Sequence, residues 1–170
     1  MKALLGRLSG ALHPVLAVLA LWLLASSPWL RMYGHLPATG FANHAHVAVG
    51  LAVALLTPWY LARCSLGERR RLCFPWLTGH MGAVARDVAG LARGRLPAAE
   101  GGGLLAMLSG LLLLALLATG LTGAGWLVVQ GSDAARAWCD VHVACARVFA
   151  GLLLLHVLAV SLHLLDFVRN

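Results

Sequence analysis

Charged side chains are scarce in this sequence. Asp, Glu, Lys and Arg together make up 11% of its 170 residues, and hydrophobic residues make up 61%. Soluble globular proteins carry about 25% charged and about 45–50% apolar residues, so an ordinary aqueous surface is excluded. Internal repeats and low-complexity tracts are also absent, which excludes repeat architectures. The composition therefore predicts a membrane protein.

The sequence also lacks any CxxC or CxxCH motif, although it contains four cysteines. This absence argues against covalently attached c-type haem and against a cysteine-based zinc site. We interpret the thiols as small packing residues. The chemistry is therefore expected to rest on other side chains.

Four long apolar stretches account for most of the chain. A membrane-spanning helix takes about 20 mainly apolar residues, and the stretches predict helices at about 8–30, 44–62, 104–129 and 139–165. The first stretch follows Lys2 and Arg7 as a signal peptide would, but its apolar run is longer than a signal sequence has, so we expect a retained helix. The expected fold is an all-α integral membrane protein, with residues 1–170 forming one domain built as a bundle of four transmembrane helices.

The basic residues are sorted by side of the membrane. The short loops after the first and third spans hold Arg31 and Arg136 alone. The N-terminus and the long middle loop hold many more, namely Lys2, Arg7, Arg63, Arg69, Arg70, Arg71, Arg86, Arg93 and Arg95. The positive-inside rule places both termini and the long loop in the cytoplasm. The net charge of +7 therefore reflects orientation and not nucleic-acid binding.

Two further features belong at the membrane interface. Within the long loop, residues 79–94 predict a short amphipathic helix that lies along the inner interface. Its apolar residues recur at helical spacing, namely Met81, Val84, Val88 and Leu91. Tryptophans near the span ends form the expected aromatic belt, namely Trp22, Trp29, Trp59, Trp126 and Trp138.

The eight histidines are the most informative residues, because ionisable groups inside a membrane are costly and mark functional sites. A rise of about 1.5 Å per residue puts His142 at the outer end of the fourth helix, level with His44 and His46. His156 follows 14 residues later (156 − 142), about 21 Å further inward and level with His13. Since 14 residues return a helix to within about 40° of its starting direction, His142 and His156 share a face. The histidines thus form an outer and an inner pair.

Two facing imidazoles without thiolate or carboxylate companions suit the axial ligation of haem better than they suit zinc. In the outer pair, the partner of His142 is His44 or His46, which point about 200° apart. Gly50 and Ala54 share the His46 face and leave room for a flat macrocycle. We therefore choose His46 and keep His44 as the alternative.

The remaining ionisable residues have other expected roles. His163 lies seven residues after His156 (163 − 156) on a similar face, and it stays an alternative ligand or a residue near a quinone head group. His35 and His80 are expected to be solvated loop residues. Arg147 is the one cation inside a span, and we expect its side chain to reach the outer head groups.

Several of these residues occur in recognisable local sequences. They are His13, the HVAVG stretch followed by Arg63, the RDVAGLARGRLP segment, the ATG of the third helix, and the 14-residue spacing of His142 and His156. With them, nearly the whole chain resembles the bacterial cytochrome b561 and nickel-hydrogenase b-type cytochrome family, which includes formate dehydrogenase gamma subunits. The resemblance implies four helices that hold two haem b groups. It implies His46 and His142 as axial iron ligands of the outer haem, and His13 and His156 as those of the inner haem.

The resemblance also implies electron transfer. Family members pass electrons between the membrane quinone pool and a partner at the outer face, often a dehydrogenase or hydrogenase with iron–sulfur clusters. We therefore expect a cytochrome b subunit of a membrane oxidoreductase complex in the bacterial inner membrane. Its expected partners are membrane lipids, quinone and a periplasmic or membrane-bound redox partner. Homo-oligomers and hetero-oligomers are both open. Two alternatives stay open: a stand-alone quinone reductase fed by a small donor such as superoxide, and a haem-free membrane anchor subunit.

Overall fold

The computed structural model describes residues 2–30, 32–33, 36–37, 40–79, 81–97 and 102–169. Its helices in chain order are α1 (Lys2–Ser26), α2 (Phe41–Cys64), α3 (Glu68–Cys73), α4 (Met81–Leu91), α5 (Leu104–Val129) and α6 (Ala134–Arg169). Single 3-10 turns follow α1 and α3, at Ser27–Trp29 and Pro75–Leu77. Between α1 and α2, two-residue strands β1 (Met32–Tyr33) and β2 (Leu36–Pro37) pair antiparallel. Apart from this small pairing, which the sequence did not predict, the regular structure in the described ranges is helical.

Four of the helices are long and apolar enough to cross a membrane, as the sequence predicted. The candidate spans are Ala11–Trp29, Phe41–Cys64, Leu104–Val129 and Ala134–Leu162. The helices α1, α2 and α6 begin before the predicted positions 8, 44 and 139. The third helix has the predicted bounds.

Large apolar side chains cover the outer surface of these helices. The exposed fraction is 65% for Val18, 78% for Leu55 and 86% for Val128. A surface of this kind is stable in lipid and not in water, because burial of apolar area from water is what stabilises a soluble fold. The chain is therefore a multi-pass membrane protein.

The first of two compact units comprises the chain up to Leu61 together with Ala115–Phe149. Its buried core includes Val53 of α2 and Leu116 of α5. These two helices approach closely, since a Cβ added at Gly120 would lie 3.2 Å from the Cα of Ala54. Small residues allow such close contact between membrane helices.

The second unit comprises Ala62–Leu114 and the chain from Ala150 onward. Here the N-terminus of α5 is capped from α4: the backbone N–H of Leu104 donates to the Asp87 carboxylate, with 2.8 Å between nitrogen and oxygen. This bond satisfies one of the free amide groups at the helix start. Gly102, at φ +77, makes the turn into the helix. A Cβ at Gly110 would overlap the Cys73 carbonyl oxygen, so the C-terminal end of α3 packs directly on α5.

The helix α4 lies inside the range predicted for an amphipathic helix. Its Val84 is buried, whereas Met81, Val88 and Leu91 are 44%, 52% and 46% exposed. Most of the predicted apolar face is thus uncovered within the described chain. Its location along the inner membrane interface stays a prediction.

Candidate functional site

His142 lies on α6 and is held from α5 through its Nδ1 atom. Nδ1 is 3.0 Å from the backbone carbonyl oxygen of Thr119 and 3.4 Å from the hydroxyl oxygen of Thr122. A carbonyl oxygen can only accept a hydrogen bond, so Nδ1 carries the imidazole proton. The Nε2 atom therefore keeps the lone pair that a neutral histidine donates to a metal.

Gly123 exposes the carbonyl to which His142 is bonded. In an α-helix, the carbonyl of one residue points toward the residue four positions later, and Gly123 stands in this relation to Thr119. A Cβ at Gly123 would lie 3.0 Å from Cε1 and 3.1 Å from Nδ1 of His142. The imidazole thus occupies space that a side chain would fill. Although α5 has no histidine of its own, it positions one of its neighbour.

His46 lies on α2 and is bonded from the end of α1. Its Nδ1 is 3.2 Å from the Oγ of Ser26, a buried residue. Ser26 donates its hydroxyl proton to the carbonyl of Leu23 at 3.1 Å, which leaves the Oγ lone pairs to accept a hydrogen bond from His46 in the tautomer protonated at Nδ1. His44 is exposed, whereas His46 is half-buried. These contacts favour His46 over His44 as the inward-facing histidine.

The two histidines of the predicted outer pair belong to the same unit. The helix α5 links the two, because it packs on α2, which carries His46, at Gly120 and contacts His142 at Gly123. Each Nδ1 lies beside a hydrogen-bond acceptor. Their pairing at one iron stays a prediction.

The two histidines of the predicted inner pair belong to different units. His13, on α1 in the first unit, is exposed, and its ring centroid is 6.1 Å from that of Tyr60, with the planes inclined by 52°. His156, on α6 in the second unit, has its Nδ1 3.5 Å from the Oγ of Ser109 on α5. Ser109 donates to the carbonyl of Leu105 at 2.9 Å, which leaves its lone pairs to accept from the histidine in the tautomer protonated at Nδ1. The pairing of His13 with His156 stays a prediction.

Other candidates from the sequence are not at these contacts. His163 lies within α6, but its side chain is outside the described structure. His35 and His80 lie wholly outside the described residues. Arg147 is exposed on α6. The four cysteines, all within the described residues, form no disulfide, and Cys64 is buried.

Trp126 differs from the other tryptophans assigned to the aromatic belt. Its side chain is 9% exposed, compared with 56% for Trp59. Among the residues that the structure describes, no acceptor bonds its indole Nε1–H. Trp126 follows Thr122 by four positions and Gly123 by three, which places it on the face of α5 that contacts the histidine. A buried donor without a partner costs about 1–3 kcal/mol, so this N–H indicates a place for an acceptor that a ligand brings.

Sequence reasoning missed the acceptors of these hydrogen bonds. It considered ionisable side chains and passed over Ser26, Ser109 and Thr122 within the apolar helices. The available signal was a hydroxyl residue inside an apolar run, at the depth of a histidine on a neighbouring helix. The Thr119 carbonyl leaves a weaker signal, namely the glycine four positions after it.

Comparison with known proteins identifies one family. Residues 5–166 match the family model described as prokaryotic cytochrome b561. This match covers nearly the whole chain, including all four candidate membrane spans. No curated protein and no solved structure matches the chain.

Proposed function

Because the chain belongs to the prokaryotic cytochrome b561 family, we propose that it holds two haem b groups and transfers electrons between a periplasmic redox partner and the membrane quinone pool. Membership makes it a membrane b-type cytochrome that takes part in electron transfer. The two haems, the partner, the quinone and the bacterial inner membrane are our proposal. In this proposal, His46 and His142 bind the outer haem iron, and His13 and His156 bind the inner one.

The hydrogen-bond acceptors beside Nδ1 of His46 and His142 carry this proposal. A histidine that binds a metal through Nε2 donates its Nδ1–H to a carbonyl, carboxylate or other acceptor, which fixes the tautomer and the ring orientation. Both histidines have this arrangement, through the Ser26 hydroxyl and the Thr119 carbonyl. The donor set therefore fits bis-histidine ligation of haem.

One neighbouring feature supports a ligand at the outer pair, beside the packing that holds His142 in place. Gly123 leaves the space that the His142 imidazole fills, and Gly120 lies against Ala54 of α2. The buried Trp126 N–H needs an acceptor, and a haem propionate is an acceptor of suitable charge. When bound, a b-type haem supplies a one-electron redox couple, while the protein supplies its position and potential. The chain itself provides the two Nε2 atoms and keeps water away from them.

The spectrum and haem content of single histidine variants test this function. We expect purified wild type to contain two haem b per chain by pyridine haemochrome, with reduced-minus-oxidised bands typical of low-spin b cytochromes. His46→Ala, His142→Ala, His13→Ala and His156→Ala should each lose one haem, because each removes one axial ligand. His44→Ala is the matched control and should keep both, since His44 is exposed two positions from His46. A colourless wild type would refute the proposal and favour the haem-free anchor.

A further inference from the structure

Two serines inside apolar helices contact histidines of neighbouring helices in the same way. Ser26 of α1 lies against His46, and Ser109 of α5 lies against His156. Each is enclosed by the protein, Ser26 at 9% exposure and Ser109 half-buried. A hydroxyl in an apolar span needs a hydrogen-bond partner, and a carbonyl of its own helix can supply one.

The bond of each serine to its own helix decides what it offers the histidine. Ser26 donates to the Leu23 carbonyl, and Ser109 donates to the Leu105 carbonyl. A serine has one hydroxyl proton and two acceptor lone pairs. While that proton bonds the backbone carbonyl, the oxygen has only lone pairs to offer the imidazole. Each serine then favours the tautomer with the proton on Nδ1.

A bond of this kind changes the histidine as a ligand. An acceptor on Nδ1–H draws the proton away from the ring and raises the basicity of Nε2. A more basic ligand stabilises ferric iron more than ferrous iron, because the ferric ion carries the larger charge. The reduction potential of iron bound to such a histidine is therefore lower than that of iron bound to a histidine without the acceptor.

We propose that Ser26 and Ser109 are positioning residues that separately set the reduction potentials of the two haem sites, Ser26 through His46 and Ser109 through His156. This inference rests on the proposed function, since it assumes haem at both pairs. It adds an assignment that the ligands alone do not give: one serine for each site. Each potential is then adjustable by a side chain that does not touch the iron.

The test is an optical redox titration of purified protein, with haem content measured in parallel. Ser26→Ala should raise the potential of the haem that is lost in His142→Ala, and Ser109→Ala that of the haem lost in His156→Ala. Loss of an acceptor from a metal-bound histidine changes metal affinity by about 10–100-fold. A tenfold loss confined to ferric iron raises a one-electron potential by about 59 mV.

Three further variants separate this role from packing. Ser26→Thr and Ser109→Thr keep the hydroxyl and should restore the wild-type potentials. Ser27→Ala is the matched control, because exposed Ser27 donates to the Leu24 carbonyl at 2.9 Å and should leave both potentials unchanged. Should Ser26→Ala fail to fold, Ser26→Cys replaces it, since a thiol is a weaker acceptor of nearly the same shape.

The outcomes distinguish this inference from the proposed function. Alanine variants that keep two haems with both potentials at wild-type values overturn the serine assignment and leave the function standing. Equal shifts of both potentials in Ser26→Ala also overturn it, because the effect is then not confined to one site. A wild type without haem overturns the proposed function and this inference with it.

Discussion

Replacing Gly123 by alanine tests how tightly His142 is held against α5. The added Cβ would lie 3.0 Å from Cε1 of the imidazole, and ordinary van der Waals contacts begin at 3.4 Å. The ring must therefore move by at least 0.4 Å (3.4 − 3.0). A movement of this size away from α5 lengthens the bond from Nδ1 to the Thr119 carbonyl, now 3.0 Å, and so weakens it. The substitution thus strains the histidine and its hydrogen bond together.

The energetic cost follows from these distances. One methyl group added to a packed site costs about 1–3 kcal/mol, and this range includes loss of a hydrogen bond worth about 0.5–1.5 kcal/mol. Since about 1.4 kcal/mol corresponds to a factor of ten, haem at the outer pair should bind about 5- to 150-fold more weakly. Haem bound by His156 should be unaffected, because Gly123 contacts His142 and not His156.

The assay is the rate at which excess apomyoglobin captures haem from the purified protein. Gly123→Ala should release one haem faster by the factor above and the other at the wild-type rate. Gly151→Ala is the matched control, because no atom lies within 4 Å of a Cβ added to this glycine of α6. Identical release kinetics and spectra for Gly123→Ala and wild type would refute the described packing of the histidine on α5.

Two further predictions concern the start of α5 and the buried indole. Asp87→Ala removes the acceptor of the Leu104 N–H and should lower the free energy of unfolding by about 0.5–2 kcal/mol, seen as a lower thermal midpoint by circular dichroism. Asp87→Asn keeps an oxygen acceptor and should recover most of this loss, and an unchanged midpoint for Asp87→Ala would contradict the cap. Trp126→Phe removes the buried N–H and should release the outer haem about tenfold faster or more, since hydrogen bonds to charged groups contribute about 1.5–3 kcal/mol. Trp22→Phe, at an exposed tryptophan, should change nothing, and equal rates for the two variants would exclude an acceptor at Trp126.

The helical architecture was predictable from the sequence because length and apolar composition alone select it. A run such as 104–129 has few alternatives in a membrane, where backbone groups must be bonded within the segment, and α5 has these bounds. The β1–β2 pairing was not predictable, since two residues per strand give no periodic pattern. The cap of Leu104 by Asp87 was equally hidden, because it joins residues 17 positions apart across a connection.

The candidate site was predictable only as a set of histidines. The residue numbers give each histidine a depth and a direction on its helix. The direction predicted that His142 and His156 lie on one face. The choice of His46 over His44 used helical direction, and the contact with Ser26 favours the same choice. Side-chain hydrogen bonds and proton positions depend on how neighbouring helices are rotated. A single sequence does not encode that rotation in any local pattern, so the acceptors became apparent from the structure.

The acceptors of His46 and His142 differ in how mutation can reach them. Ser26 is a side chain, so one base change in its codon can delete the acceptor. The acceptor of His142 is the main-chain oxygen at position 119, which every amino acid carries. Substitutions of Thr119 therefore leave that oxygen in place, and the bond is lost only when a neighbour such as Gly123 acquires a side chain. Substitutions at position 26 can thus change the acceptor of His46 directly. The acceptor of His142 belongs to the backbone and is present whatever residue stands at position 119.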